Sequence, residues 1–142
     1  MNQVLNLNLE EFYPHPLESV WRALTDPAAI SEWLMPCDFQ PVVGHKFTIR
    51  GNADENWRGF THCEVLTLEA PTLMEWLWES ADIEEPTRVS FALQPFHGGT
   101  RLTLRHTGTT TLKDIESLSS GWPQKLRQFK ELIVNLESSE TS

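Results

Sequence analysis

Cysteine is scarce in this chain: only Cys37 and Cys63 occur, in no CxxC arrangement. That excludes a disulfide-dense scaffold and a zinc ribbon. The expectation is free thiols in a reducing, cytoplasmic setting, with a bridge between the two left open by sequence alone. Long apolar runs are missing as well. None approaches the roughly 18 residues that a membrane-spanning helix needs, so no membrane insertion is expected. The first residues, Met1 to Glu11, carry no basic cluster and no continuous apolar stretch, and they read as a strand and not as a signal peptide.

Positive charge is also in short supply. Eleven Lys and Arg face 20 Asp and Glu, for a net charge of −9. So acidic a surface repels phosphate backbones and anionic lipid heads, which argues against nucleic-acid partners. Motifs that carry chemistry are absent too. The five histidines, His15, His45, His62, His97 and His106, show no metal-ligand spacing. His62 and Cys63 are adjacent on an expected strand, so their side chains point to opposite faces, and no metal is expected. There is no GxSxG elbow, no P-loop and no GxGxxG, and the Gly98-Gly99 pair reads as a hairpin turn. Neither cysteine sits beside a histidine as a thiolate pair would. Glu75 and Glu79 share a strand face that reads as solvated surface. No acid–base pair can be named, so no catalytic residue and no cofactor are assigned.

What is abundant is tryptophan, six in all: Trp21, Trp33, Trp57, Trp76, Trp78 and Trp122. Each brings a large apolar area and one N–H that seeks a partner. Such rings either fill a core or wall a pocket for a flat ligand.

Periodicity places them. Val4 to Glu10 alternates as a strand, which Pro14 and Pro16 end. Leu17, Val20, Trp21 and Leu24 then fall at helical spacing. Asp26-Pro27 stops that helix and opens a second, Asp26 as N-cap and Pro27 at the first position, reaching Trp33 or Leu34. Strands are expected at 46–50, 57–68, 73–79, 88–93 and 100–107. In the third of these, Met74, Trp76 and Trp78 share the inward face, because the other face carries both glutamates. From about Lys113 the pattern is helical, with a kink or restart expected at Gly121-Trp122-Pro123. Leu126, Phe129, Ile133 and Leu136 form its apolar stripe. Residues 138–142 read as a frayed polar tail.

Strands joined by short turns favour an antiparallel sheet, and a long amphipathic helix must bury its stripe on it. The fold class is therefore α+β: a curved antiparallel sheet of about six strands wrapped around a long C-terminal helix, with two short helices after the first strand. No repeat or linker divides the chain, and residues 1–142 read as one domain.

Three segments carry a resemblance. Val20-Trp21-Arg22-Ala23-Leu24-Thr25-Asp26-Pro27 is followed by Glu32-Trp33. Thr87 to Leu93 is followed by Gly99 to Gly108, and Gly121-Trp122 by Leu126 and Phe129. In order and spacing these resemble the family named for the activator of heat-shock protein 90 ATPase, in its stand-alone bacterial form. It is a branch of the START or SRPBCC superfamily, with the Bet v helix-grip fold. The resemblance implies a hydrophobic cavity and lipophilic small-molecule ligands, without a fixed chemistry.

Alternation and helix phase would wall that cavity with Trp33, Trp76, Trp78, Phe91, Leu104, Trp122 and Phe129, with His106 as a polar contact. The competing reading is that these rings simply fill the core. Three functions follow in order: a binding module for an apolar, aromatic or lipid-like molecule; a co-chaperone-like module docking on a heat-shock protein 90 type ATPase; and a cyclase- or hydrolase-like enzyme using the same cavity. Ligand identity and oligomeric state are not legible.

Overall fold

The computed structural model describes residues 2–55, 57–80 and 85–141, with side chains up to residue 135. Its elements are β1 (Asn2–Tyr13), α1 (Leu17–Thr25), α2 (Pro27–Trp33), β2 (Lys46–Arg50), β3 (Phe60–Glu69), β4 (Leu73–Glu79), β5 (Thr87–Phe96), β6 (Gly99–Thr111) and α3 (Leu112–Thr141). The six strands form one antiparallel sheet in the order β1-β6-β5-β4-β3-β2. Only β1 departs from sequential pairing. It lies against β6, so α1, α2 and the loop after them carry the chain from one sheet edge to the other.

Local chemistry accounts for the joints. The Asp26 carboxylate accepts from the Ala29 N–H at 2.9 Å, the N-cap expected of Asp26-Pro27. Alternation along β4 buries Met74, Trp76 and Trp78 and leaves the intervening residues half-buried. β5 and β6 pair as the expected hairpin, but its turn is His97-Gly98, both at positive φ, one residue before the expected Gly98-Gly99. A bulge between Val65 and Thr67 shifts the β3–β4 register by one residue, so the buried alternation of Thr61, Cys63 and Val65 ends there.

Two expectations are corrected. The strand proposed for 57–68 begins only at Phe60, and Trp57 belongs to the preceding loop. Asp54 explains this: its N–H donates to the Trp57 carbonyl and its carboxylate accepts from the Trp57 N–H, both at 2.9 Å. Gly59, at φ +95°, then turns the chain into the strand. The restart proposed at Gly121-Trp122-Pro123 does not occur either, because α3 runs unbroken with Pro123 inside it. Proline removes one intrahelical bond. The buried stripe Leu118, Trp122, Leu126, Phe129 and Ile133 nonetheless stays in phase across it, and burial on the sheet holds both halves to one axis. Leu136 and the proposed frayed tail at 138–142 lie beyond the described side chains.

The core sits between this stripe and the concave sheet face. Phe129 is its pivot, with ring centroids 5.4 Å from Tyr13 and 5.1 Å from Trp33. Replacing Phe129 by Ala should cost about 3–5 kcal/mol, the usual price of emptying a fully packed aromatic site. Val134, half-exposed on the far side of α3, should tolerate Ala within about 0.5 kcal/mol. Urea unfolding of both variants checks the helix phase, and similar losses would contradict it.

Candidate functional site

Under the first half of α3 the helix and the sheet do not meet. A cavity of about 80 Å³ remains, walled on its apolar side by Leu34, Met35, Ile49, Trp57, Trp78 and Trp122. The sequence of α3 explains the gap. Ser117 and Gly121 face it, and a side chain begun at Gly121 would meet no atom within 4 Å. Further along, Leu126, Phe129 and Ile133 fill every inward position. Trp57 closes one side, its indole N–H donating to Thr61 Oγ1 at 3.0 Å. Gly51 makes that closure possible: a Cβ there would strike both the Met35 sulfur and the Trp57 ring at 2.9 Å.

The polar end is built at the start of α3. Thr111 caps the helix by accepting from the Asp114 N–H at 3.1 Å. The Asp114 carboxylate, almost fully buried, accepts from the Ser80 hydroxyl at 2.5 Å and from the Thr110 hydroxyl at 2.7 Å. Both oxygens are therefore engaged. Lys125 stands at the other end, 11 residues and about 16 Å along the helix. Burial pushes its amine below the ordinary lysine range.

Of the residues proposed as walls, Trp78 and Trp122 line this cavity, their rings 5.2 Å apart. Trp33, Trp76, Phe91, Leu104 and Phe129 do not line it; they pack in the core, Trp76 against Phe91 at 4.9 Å and Trp33 against Phe91 at 6.3 Å. His106 is fully buried with both ring nitrogens occupied. Trp122 Nε1 donates to Nδ1 at 3.0 Å, and Nε2 lies 2.7 Å from Thr87 Oγ1. Since Thr87 gives its own proton to the Trp78 carbonyl at 3.0 Å, Nε2 must carry the imidazole hydrogen. Trp57, Asp114 and Lys125 were not anticipated. The small residues Ser117 and Gly121, four apart on one helix face, were the signal that could have found the gap.

A larger groove of about 330 Å³ lies across β2, β3 and β4, lined by Lys46, Thr48, His62, Glu64, Leu77 and Glu79 among others. Its mixed charges suit water better than an apolar ligand. Among the described residues no group of three His, Cys, Asp or Glu could hold a metal ion, and no helix is long and apolar enough to cross a membrane. Cys37 and Cys63 are free thiols, and burial raises the pKa of both.

A six-stranded antiparallel sheet gripping one long C-terminal helix, with a gap between them, defines the helix-grip class. Within it, the chain belongs to the activator of Hsp90 ATPase homolog 1-like family, whose model matches residues 14–133. Among solved structures, protein MLL2253 of Mesorhizobium loti is 33% identical, with a TM-score of 0.78 over 92% of this chain and 97% of that one. Mll3558 of Rhizobium loti reaches a TM-score of 0.80 at 17% identity, over 92% and 98% of the two chains. A structure described as the Aha1 dimer from Colwellia psychrerythraea gives 0.76 at 19% identity, over 91% and 96%. No curated protein matches the chain.

The buried histidine sets a pH dependence. Desolvation lowers its pKa from 6.5 to about 3, and a second ring proton would also face the Trp122 N–H. Below pH 6.5 the unfolded chain takes up a proton that the folded chain refuses. Stability from this group is thus complete above pH 6.5 and should fall by about 1.4 kcal/mol per pH unit towards pH 3. Unfolding curves between pH 7 and 4 for the wild type and His106→Asn check this, the variant being expected to show the shallower slope.

Proposed function

We propose that the chain binds a small, apolar, ring-containing molecule in the cavity beneath α3. The observation that carries this reading is an unfilled, partly open space lined by Trp57, Trp78 and Trp122, since flat π-faces favour flat ligands. About 80 Å³ is well below the roughly 300–1,000 Å³ of drug-sized sites. The ligand class is therefore a single ring with short substituents, or a larger one if Trp57, only half-buried on its loop, turns outward. Trp33, Trp76, Phe91, Leu104 and Phe129 support the walls from behind, and His106 acts by holding Trp122. Both thiols being free fits a reducing, cytoplasmic setting. A second reading, docking on an Hsp90-type ATPase, rests on the family match alone and predicts faster ATP turnover by that partner on mixing, with no small ligand needed.

Tryptophan fluorescence during titration with benzamide and 2-naphthol tests the first reading. Saturable quenching by benzamide is expected for the wild type. Gly121→Leu should abolish it while keeping or raising the melting temperature, because the added side chain enters open space and helix propensity improves by about 1 kcal/mol. Trp57→Ala should strengthen 2-naphthol binding by enlarging the cavity. Absence of saturation with every probe, or full binding by Gly121→Leu, would count against the cavity.

A further inference from the structure

Among the described residues, Lys125 is the one Lys or Arg that lines the cavity beneath α3. Lys130 pairs with Glu11 at 3.4 Å and Arg58 with Glu79 at 3.2 Å. Lys125 faces the cavity and, among the described residues, has no hydrogen-bond or ion-pair partner. It follows Gly121 by four residues and Trp122 by three, so its stem rises along the same helix face. The one carboxylate among the described lining residues, Asp114, is held by Ser80 and Thr110 about three helical turns away. An amine half removed from water, with no counter-charge among the described residues, is a binding opportunity for an anionic group of a ligand.

Resting on the cavity reading above, we infer that the ligand is a cyclic, preferably aromatic, carboxylic acid, its ring among Trp57, Trp78 and Trp122 and its carboxylate paired with the Lys125 ammonium. The arrangement is asymmetric. The end near Asp114 carries a buried carboxylate and, among the described residues, no cation, so like charges oppose there and an acid binds with its ring towards Ser117 and its carboxylate towards the C-terminal half of α3.

Benzoate and benzamide differ in charge and hardly in shape, and calorimetric titration of each against three proteins decides the matter. For the wild type, benzoate should bind about tenfold more tightly than benzamide, as expected of a charge-assisted bond in a partly dry site. Lys125→Met keeps an unbranched side chain one heavy atom shorter and should lose that preference through weaker benzoate binding, with benzamide unchanged. Lys125→Arg should retain it. Equal binding of the two probes by the wild type, survival of the preference in Lys125→Met, or loss of both probes in that variant would each overturn the carboxylate assignment. Failure of both probes on the wild type would instead overturn the cavity reading, and this inference with it.

Discussion

One directional chain of hydrogen bonds sets the depth at which the helix sits in the sheet. The Trp122 indole of α3 donates to His106 on β6, His106 donates to Thr87 on β5, and Thr87 donates to the Trp78 carbonyl on β4. Each donor in that chain is buried, so breaking any link would strand a polar group away from water at about 1–3 kcal/mol. The chain also runs one way only. Thr87 has a single proton and gives it to the carbonyl, which makes it an acceptor towards His106 and fixes the histidine tautomer. Neutrality of His106 is thus a structural requirement, and its lowered proton affinity follows from the same geometry that anchors α3.

The other large rings obey a different rule. Trp33, Trp76 and Trp78 bury their indole N–H groups with no partner among the described residues, at some cost in hydration. For Trp33 and Trp76 ring packing offsets that cost: Trp76 alone meets Phe39, Phe47 and Phe91 within 5.6 Å. Packing density wins over hydrogen bonding in the middle of the core. Hydrogen bonding wins at Trp122, where a partner was available at the helix–sheet boundary.

This division shows what could be read from the residues alone. Alternation in 73–79 and the hairpin at 97–99 were legible because each depends on neighbours in sequence. So was Asp26-Pro27, whose cap involves only residues three apart. The break at Pro123 was misjudged because the local loss of one bond was weighed without the stripe on either side, whose burial is tertiary. The shared face of Trp76 and Trp78 is legible, but depth is not. Period-two patterning puts Trp76 and Trp78 on one side of β4 without telling that the first meets three phenylalanines and the second meets a gap. Trp57 reads as the start of a strand, and the Asp54 turn that removes it from the sheet is a side-chain effect on the backbone.

The gap persists because α3 is held off the sheet at two points. At its start, Asp114 is tied to Ser80 beyond β4 and to Thr110 at the end of β6; eight residues later, Trp122 is tied to His106. Between these props the helix presents Ser117 and Gly121, too small to reach the opposite wall, and it cannot settle inwards without breaking one of the two. A methylene-by-methylene collapse of the kind that shrinks most core voids is therefore blocked. What partly fills the space comes from the side, as Trp57 folds over Gly51 from the β2–β3 loop. The same props explain why charge is segregated along the cavity. Asp114 serves as a prop and engages both oxygens in it, whereas Lys125, one turn past the second prop, has no hydrogen-bond or ion-pair partner among the described residues.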